Sequence, residues 1–391
     1  MTGKKRGTAR PKPRPKPTKA HPSSGHDRPR HKEPRSDRSR DDQEEDQEVQ
    51  GPKGTVFDSD PAHQQRVLDI FRRAFEDVLS SGRFTTKLQA LKQALYDRDF
   101  ARAFGDAENL EAYAARWSPT RALCYASVLC RLADDHLGPL LSLPDGGDPP
   151  APDQPSPPAQ LKAFCVGGGA AELVAVAALV HQHPSPLSAS VTLLDSGPWD
   201  AVLSKLTAAL TTPPPISRCA SEAAKLSNVA FAPASRLAST FLSQDVLALD
   251  KAQLSALVGS TPLLVTLLFT LNELFTAAGV GKTTAFLLTL TSVVPPGSLL
   301  LVVDSPGSYS EASVGKEAKR YPMHWLLDRV VVDTTRREPV NGRRWVKVDE
   351  KESVWFRLPD GELDYPIQLE NMRYQMHLYR AEDASQDEEE T

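Results

Sequence analysis

The 391-residue chain is poor in the features that build disulfide scaffolds, metal centres and membrane spans. Its four cysteines, Cys124, Cys130, Cys165 and Cys219, show no CxxC spacing and no histidines clustered beside them. That spacing points away from a structural zinc site and towards a reducing compartment. No apolar run reaches the roughly 18–20 residues of a membrane-spanning helix, and the basic N-terminus lacks the apolar stretch of a secretory signal. The Lys-Pro repeats between Lys12 and Pro17 cannot form the amphipathic helix of a mitochondrial presequence. These absences predict a soluble intracellular protein with no membrane and no metal partner.

What is present is unevenly distributed. The formal net charge is −4, yet Met1 to Arg40 holds fourteen Lys/Arg against Asp27, Glu33 and Asp37. Two acidic blocks, Asp41 to Glu48 and Asp383 to Glu390, oppose that basic tail. Affinity for a polyanion is therefore expected in the tail or in local patches. Residues 1–58 are rich in Pro, Arg, Lys and Ser and hold too few apolar residues to offset ordering entropy, which predicts disorder. The clusters Lys4 to Arg6 and Arg28 to Lys32 read as nuclear or nucleolar targeting or as a nonspecific RNA-binding arm, in a protein of nucleus or cytoplasm.

From His63 the pattern changes. Val67, Ile70, Phe71, Phe75, Val78 and Leu79 recur at helical spacing, followed by Leu88, Leu91 and Leu95. This predicts a helical region over 59–142, with Ser118 as N-cap and Pro119 as first residue of one helix. The polar, proline-rich segment 143–160 reads as a linker. Beyond it strands and helices alternate over 161–380. Strands are expected at Ala163 to Val166, Ala189 to Leu194, Asn228 to Phe231, Leu263 to Phe269 and Ser298 to Val303, with helices between them. Val354 to Leu358 and Met372 to Tyr379 are late strand candidates. Such alternation predicts an α/β fold: a doubly wound, Rossmann-like, mostly parallel sheet covered by helices on both faces. Residues 381–391 read as an acidic disordered tail.

The chemistry centres on Ala163 to Leu179, a buried strand, the turn Gly167-Gly168-Gly169 and an apolar helix. Glycines let backbone approach a ligand, and the following helix N-terminus favours acceptor oxygens. Asp195 ends the second strand, where an acid commonly holds ribose hydroxyls, although its DSGP context is also good turn chemistry. NAD, a flavin and S-adenosylmethionine all fit this pair. Asp245 can accept from an adenine amine or cap a helix equally well. Gly279 to Thr284, GVGKTT, looks like the end of a P-loop, but Thr276 stands where the motif needs glycine and no strand leads into it, so a helix stop and restart is favoured over an NTP hydrolase. Asn272 and Glu273 after the fourth strand offer an amide and a carboxylate. Asp304, Ser305 and Tyr309 after the fifth offer hydroxyls and a ring on the same rim. Each of these loops is also an ordinary strand-to-helix turn.

With these segments placed, the chain resembles the fungal S-adenosylmethionine-dependent methyltransferases that modify uridine N3 in large-subunit (25S) ribosomal RNA. The resemblance rests on Arg98-Asp99-Phe100, Ala112 to Leu123, the glycine turn, Leu267 to Phe275, Leu300 to Tyr309, Tyr321 to Asp328, Ser353 to Arg357 and Leu369 to Arg380. It implies a class I methyltransferase fold of seven strands with a reversed final hairpin. It implies further that Gly167, Gly169 and Asp195 face S-adenosylmethionine. Asn272 and the Asp304 to Tyr309 loop would face the target base. The glycine turn here, GGGAAEL, is one residue shorter than the family's GGGAGAEL. Uridine N3 carries a proton at neutral pH, so positioning and proton removal are the two tasks, and the base must leave its stack. Glu273 is the candidate base and Asn272 the base-edge ligand. Trp117, Tyr309 and Tyr321 are candidate stacking rings, and Arg121 is a candidate on the same substrate face. The expected partner is large-subunit rRNA or a pre-ribosome, met by a monomer. A noncatalytic ribosome-assembly protein that keeps the fold is the alternative.

Overall fold

The computed structural model describes residues 60–141, 159–307, 309–314, 317–332 and 340–384, with side chains described outside 308–320. The expected disordered tail 1–58, most of the proline-rich linker and all but the first residues of the acidic tail lie outside the described residues.

Capping starts the chain's first helix: Asp60 accepts from the Ala62 N–H at 3.0 Å, with Pro61 in the first helical turn. Helices Pro61–Ala74, Glu76–Leu79, Phe84–Tyr96, Phe100–Phe104 and Ala107–Arg116 follow in order, then the long helix Ser118–Asp135. The last begins one residue earlier than a Ser118 cap predicts. Trp117 stays in the right-handed helical region, because its N–H still closes the preceding helix on the Tyr113 carbonyl. Ser118 is therefore already helical and caps nothing.

The strands are β1 (Ala159–Val166), β2 (Leu187–Asp195), β3 (Leu237–Ser243), β4 (Leu264–Leu268), β5 (Leu299–Asp304), β6 (Tyr309–Val314), β7 (Glu317–Pro322), β8 (Arg343–Phe356) and β9 (Met372–Asp383). Seven form one sheet in the order β3-β2-β1-β4-β5-β9-β8. β1 to β5 pair in parallel, β9 runs antiparallel to β5, and β8 runs antiparallel to β9. Hence β8 points the same way as the first five strands, and only β9 is reversed. The end of β8 and the start of β9 thus share a rim with the glycine turn. β6 and β7 pair as a separate hairpin that the sequence pattern did not reveal.

Further expectations change: the strand expected at Val354 to Leu358 begins already at Arg343 and ends at Phe356. The strand expected at Asn228–Phe231 is absent. Phe231 is buried against the His181 ring, which mimics a strand's apolar signal, while the true β3 is a mostly exposed edge strand at Leu237–Ser243. The expected linker ends in β1, which begins at Ala159. β9 carries three residues past Arg380, to Asp383.

Alternation in the sheet sends side chains to two cores. Leu161, Ala163 and Cys165 of β1 join one with Leu299, Leu301 and Val303 of β5, whereas Phe164, Val166, Leu300 and Val302 join the other. The first core takes in the helices Ala170–Gln182 and Asp200–Thr211 together with Val67, Phe71, Tyr125 and Leu129 of the N-terminal helices. The helical region is thus a layer of the same core. Truncating Phe71, fully buried, to alanine should lower stability by about 3–5 kcal/mol. In chemical denaturation the sheet and the N-terminal helices should unfold in one transition; two separated transitions would refute the shared core.

Candidate active site

β1 ends at a turn that needs glycine. Gly167 has φ +67°, and a Cβ there would lie 2.4 Å from Thr270 Oγ1 in the loop after β4. Gly168 packs inward, where a Cβ would meet Cys165 Cβ at 2.5 Å, and a Cβ on Gly169 would press on the Trp199 ring at 3.3 Å. The turn therefore draws two strand ends together and leaves open space above it. That space is a cavity of about 540 Å³.

Each wall comes from a different part of the chain. Gly167, Gly169 and Glu172 form the floor, Asp195 and Trp199 one side, and Gln244 to Leu247 the next. Phe269, Thr270 and Glu273 after β4 form the far side, and Phe100, Phe104, Tyr113 and Arg121 of the N-terminal helices close the top. Asp195 accepts from the Gly197 N–H at 2.7 Å and from the Trp199 side chain. Burial raises its carboxyl above the ordinary value, and those two bonds oppose the rise. Asp245 lines the cavity and also caps a short turn, accepting from Leu247 N–H at 2.9 Å. The capping reading of that residue holds.

The far side carries a carboxylate and the top a guanidinium. Glu273 sits in a short helical turn, Leu271–Glu273, that continues as a π turn over Leu274–Ala278. Its Oε2 is buried without a hydrogen-bond partner. Burial raises its carboxyl above the ordinary value, opposed by the charges of Arg98 and Arg121. Arg121 donates to the Tyr113 hydroxyl, and its guanidinium lies 5.1 Å from the Phe269 ring centre. Phe269 itself has φ +56°, a rare conformation for a bulky residue that clusters at ligand sites.

Not every expected residue lines this cavity. Trp117 faces a second, smaller one beside it. Asn272 gives its backbone N–H to Asp304 Oδ2 at 3.1 Å, and Asp304 Oδ1 accepts from the Ser305 N–H at 2.8 Å. These three tie the ends of β4 and β5 to one another and stand outside the cavity wall. Tyr321 stacks on Trp325 with ring centres 5.1 Å apart, also away from it. The side chain of Tyr309 lies outside the described residues. Gly279, at φ +87°, ends the π turn and starts the helix Val280–Val293. GVGKTT is thus a helix junction, and Lys282 lines the cavity from within a helix, not from a phosphate-binding loop. Among the described residues no group of His, Cys, Asp or Glu is suited to a metal ion, and no helix is long and apolar enough to cross a membrane.

Glu172 was missed by sequence reasoning, although its place three residues after the last glycine is a capping position. It accepts from the Gly169 N–H at 2.8 Å and fixes the turn. Trp199, Tyr113 and Phe104 were missed as well, since nothing local marks a core aromatic as a cavity wall.

A parallel sheet with a reversed strand inserted next to its last parallel member, a glycine turn after β1 and an acid ending β2 define the class I methyltransferase architecture. A profile of SAM-dependent methyltransferases matches residues 71–380, and the chain belongs to that family. It is 30% identical over 341 residues to the 25S rRNA (uridine(2843)-N(3))-methyltransferase of Saccharomyces cerevisiae, covering 81% of this chain and 85% of that protein. Solved structures similar to it include an O-methyltransferase family protein from Burkholderia thailandensis, at 13% identity and TM-score 0.36 over 82% of this chain and 71% of that one. Another is the 16S rRNA (adenine(1408)-N(1))-methyltransferase from Catenulisporales acidiphilia, at 15% identity and TM-score 0.32 over 57% and 88%. The cofactor is S-adenosylmethionine, and the cavity suits it: a turn closed to any Cβ, a carboxylate at the end of β2 and aromatic walls.

Burial lifts the Glu172 carboxyl to about 7, against the lowering effect of its bond from the Gly169 N–H. The folded protein then holds a proton that the unfolded chain releases from 4.5 upward. Stability from this group is full below 4.5 and falls as pH rises through about 7. Glu172→Gln keeps an acceptor for Gly169 and should remove that fall, on the order of 3 kcal/mol, from the denaturation midpoint profile. Parallel profiles for variant and wild type would show that Glu172 does not titrate in this range.

Proposed function

We propose that the protein is an S-adenosylmethionine-dependent methyltransferase of large-subunit ribosomal RNA that acts on N3 of a uridine, as the name of its yeast relative states for that enzyme. The observation that carries the reading is Glu273: a carboxylate with one buried, unpartnered oxygen on the wall facing the glycine turn. When bound, S-adenosylmethionine supplies an electrophilic methyl group on a positively charged sulfur. Gly167, Gly169 and Asp195 would hold it, with Trp199 against its sugar and base end.

The chain's own residues then have separable tasks. Glu273 Oε2 accepts the proton from uridine N3, and its raised affinity for protons brings it closer to the strength of base that this weakly acidic N–H requires. Arg121 keeps its charge at every accessible pH. Facing both cavities, it stabilises the negative charge that develops on the uracil carbonyl oxygens as the proton leaves. Phe269 forms the wall between cofactor and base. Asn272, Asp304 and Ser305 act as positioning residues: their mutual hydrogen bonds fix the loop that carries Glu273. Phe100, Phe104 and Tyr113 exclude water from above.

The experiment that tests this reading is nucleoside mass spectrometry of unmodified large-subunit rRNA after incubation with protein and cofactor. 3-Methyluridine should appear with wild type. Glu273→Gln should bind cofactor normally and lose roughly 10²–10⁴-fold in transfer rate. Because the base works only when deprotonated, the wild-type rate should climb with pH through a value above that of an ordinary Glu. The Gln variant should lack that limb. Cofactor binding with no methyl transfer to any RNA would instead identify a noncatalytic assembly factor.

A further inference from the structure

The second cavity, about 170 Å³, opens beside the cofactor cavity and shares Arg121 and Phe269 with it. Its other walls include Arg116, Trp117, Asn371 and Arg373. Arg373 starts β9 opposite Trp355 of β8, on the rim where the parallel strands end. Trp355 is 52% exposed. Arg357 lies 5.0 Å and Arg373 5.7 Å from its ring centre. An indole left in water and bracketed by two guanidinium groups is uncommon for a residue with only a packing role.

The charges on this rim are mixed, since Asp360 and Glu362 in the connection between β8 and β9 are exposed and outside any ion pair among the described residues, while the acids nearest the cavity are paired. Glu370, at the cavity, is paired with Arg116. Asp364, in the same connection between β8 and β9, is paired with Arg72 at 2.9 Å. Neither Arg357 nor Arg373 belongs to an ion pair among the described residues. Arg373 is instead aimed by a hydrogen bond from its Nε to Ser353 Oγ at 2.8 Å. The Tyr365 hydroxyl on the Ala115 carbonyl at 2.8 Å anchors the connection to the N-terminal helices, so the platform and the cavity are held together.

We propose that Trp355, Arg357 and Arg373 form a platform for single-stranded RNA, and that the cavity between Trp117 and Arg121 receives the extruded target base. The inference rests on the RNA-methyltransferase reading above and gives it an approach route. An unpaired nucleotide beside the target stacks on Trp355, while Arg357 and Arg373 hold the flanking phosphates. The next base turns into the cavity beside Trp117 and meets Arg121 and Phe269, on whose other side the cofactor cavity begins. A protein partner is disfavoured, because two guanidinium groups outside any ion pair among the described residues stand over the indole.

The test uses the full chain, an unmodified large-subunit rRNA transcript and a uridine-containing single-stranded oligonucleotide. Trp355→Ala should weaken oligonucleotide binding and raise the KM for the transcript roughly 5- to 100-fold. Trp355→Phe should restore most of the loss, and calorimetry should give an unchanged Kd for S-adenosylmethionine. Arg357→Gln, at an exposed position, should reduce the salt dependence of RNA binding by about one counterion. If Trp355→Ala also loses cofactor binding, the Arg357→Gln salt slope decides. Wild-type RNA methylation with both variants indistinguishable from it overturns the platform and leaves the enzyme reading intact. Wild type that binds cofactor yet neither binds nor methylates RNA overturns both.

Discussion

A half-buried guanidinium at the junction of two cavities is the constraint around which this structure is arranged. Arg121 cannot shed its charge, so its burial requires partners that stay in place. The Tyr113 hydroxyl accepts from it, the Tyr113 and Phe269 rings face it, and Asp304 contributes negative charge, joined by Glu172 once that group ionises. Those partners belong to an N-terminal helix, the loop after β4, the helix after the glycine turn and the end of β5. One side chain thereby couples four elements that are far apart in the chain. The N-terminal helices are not an accessory to the sheet, because they supply Phe100, Phe104, Tyr113 and Arg121 to the cavity wall.

The glycine turn is the second half of the same arrangement. Gly167 lets Thr270 come close enough that any side chain would collide with it, which brings the loop carrying Glu273 over the cofactor cavity. Phe269, one residue earlier, takes up the distortion with its positive φ, and its N–H is held on the Val303 carbonyl at 2.7 Å. Strain at that residue is thus stored between two hydrogen-bonded strands, which over-determine it. The GGGAAEL turn is held from its helix side as well. Glu172 reaches back to Gly169 and caps the helix.

What was legible in the sequence is what short-range physics writes there. The turn at Gly167 to Gly169, the acid at Asp195 and the strands β1, β2, β4 and β5 all followed from composition over a few residues. β3 was misplaced because an exposed edge strand has little apolar signal, and Phe231 supplied a false one from a loop. Ser118 was misread because a cap depends on where the previous helix ends, and Trp117 still closes that helix on the Tyr113 carbonyl. Asn272, Asp304 and Ser305 were recognised as belonging together by their place at strand ends. Their mutual bonding, which turns them from wall to scaffold, depends on the pairing of β4 with β5. Glu172 and Tyr113 could not be found at all from local pattern, since capping and core packing explain each of them when taken alone.

The same limit explains why the two tryptophans of the rim differ in legibility. Trp117 is a stacking candidate through its family segment at a helix junction, whereas Trp355 reads as one hydrophobic residue in a β-strand. Only the reversal of β9 brings Arg373 opposite Trp355, and only the packing of the β8–β9 connection on Gln65, Arg72 and Ala115 sets that strand pair beside the second cavity. A reversed strand near the sheet edge is therefore more than a topological signature of the class. It returns the chain to the rim where the cofactor turn lies. There it places Arg373 in the wall of the second cavity, with Trp355 opposite it on β8, and that cavity shares Arg121 and Phe269 with the first.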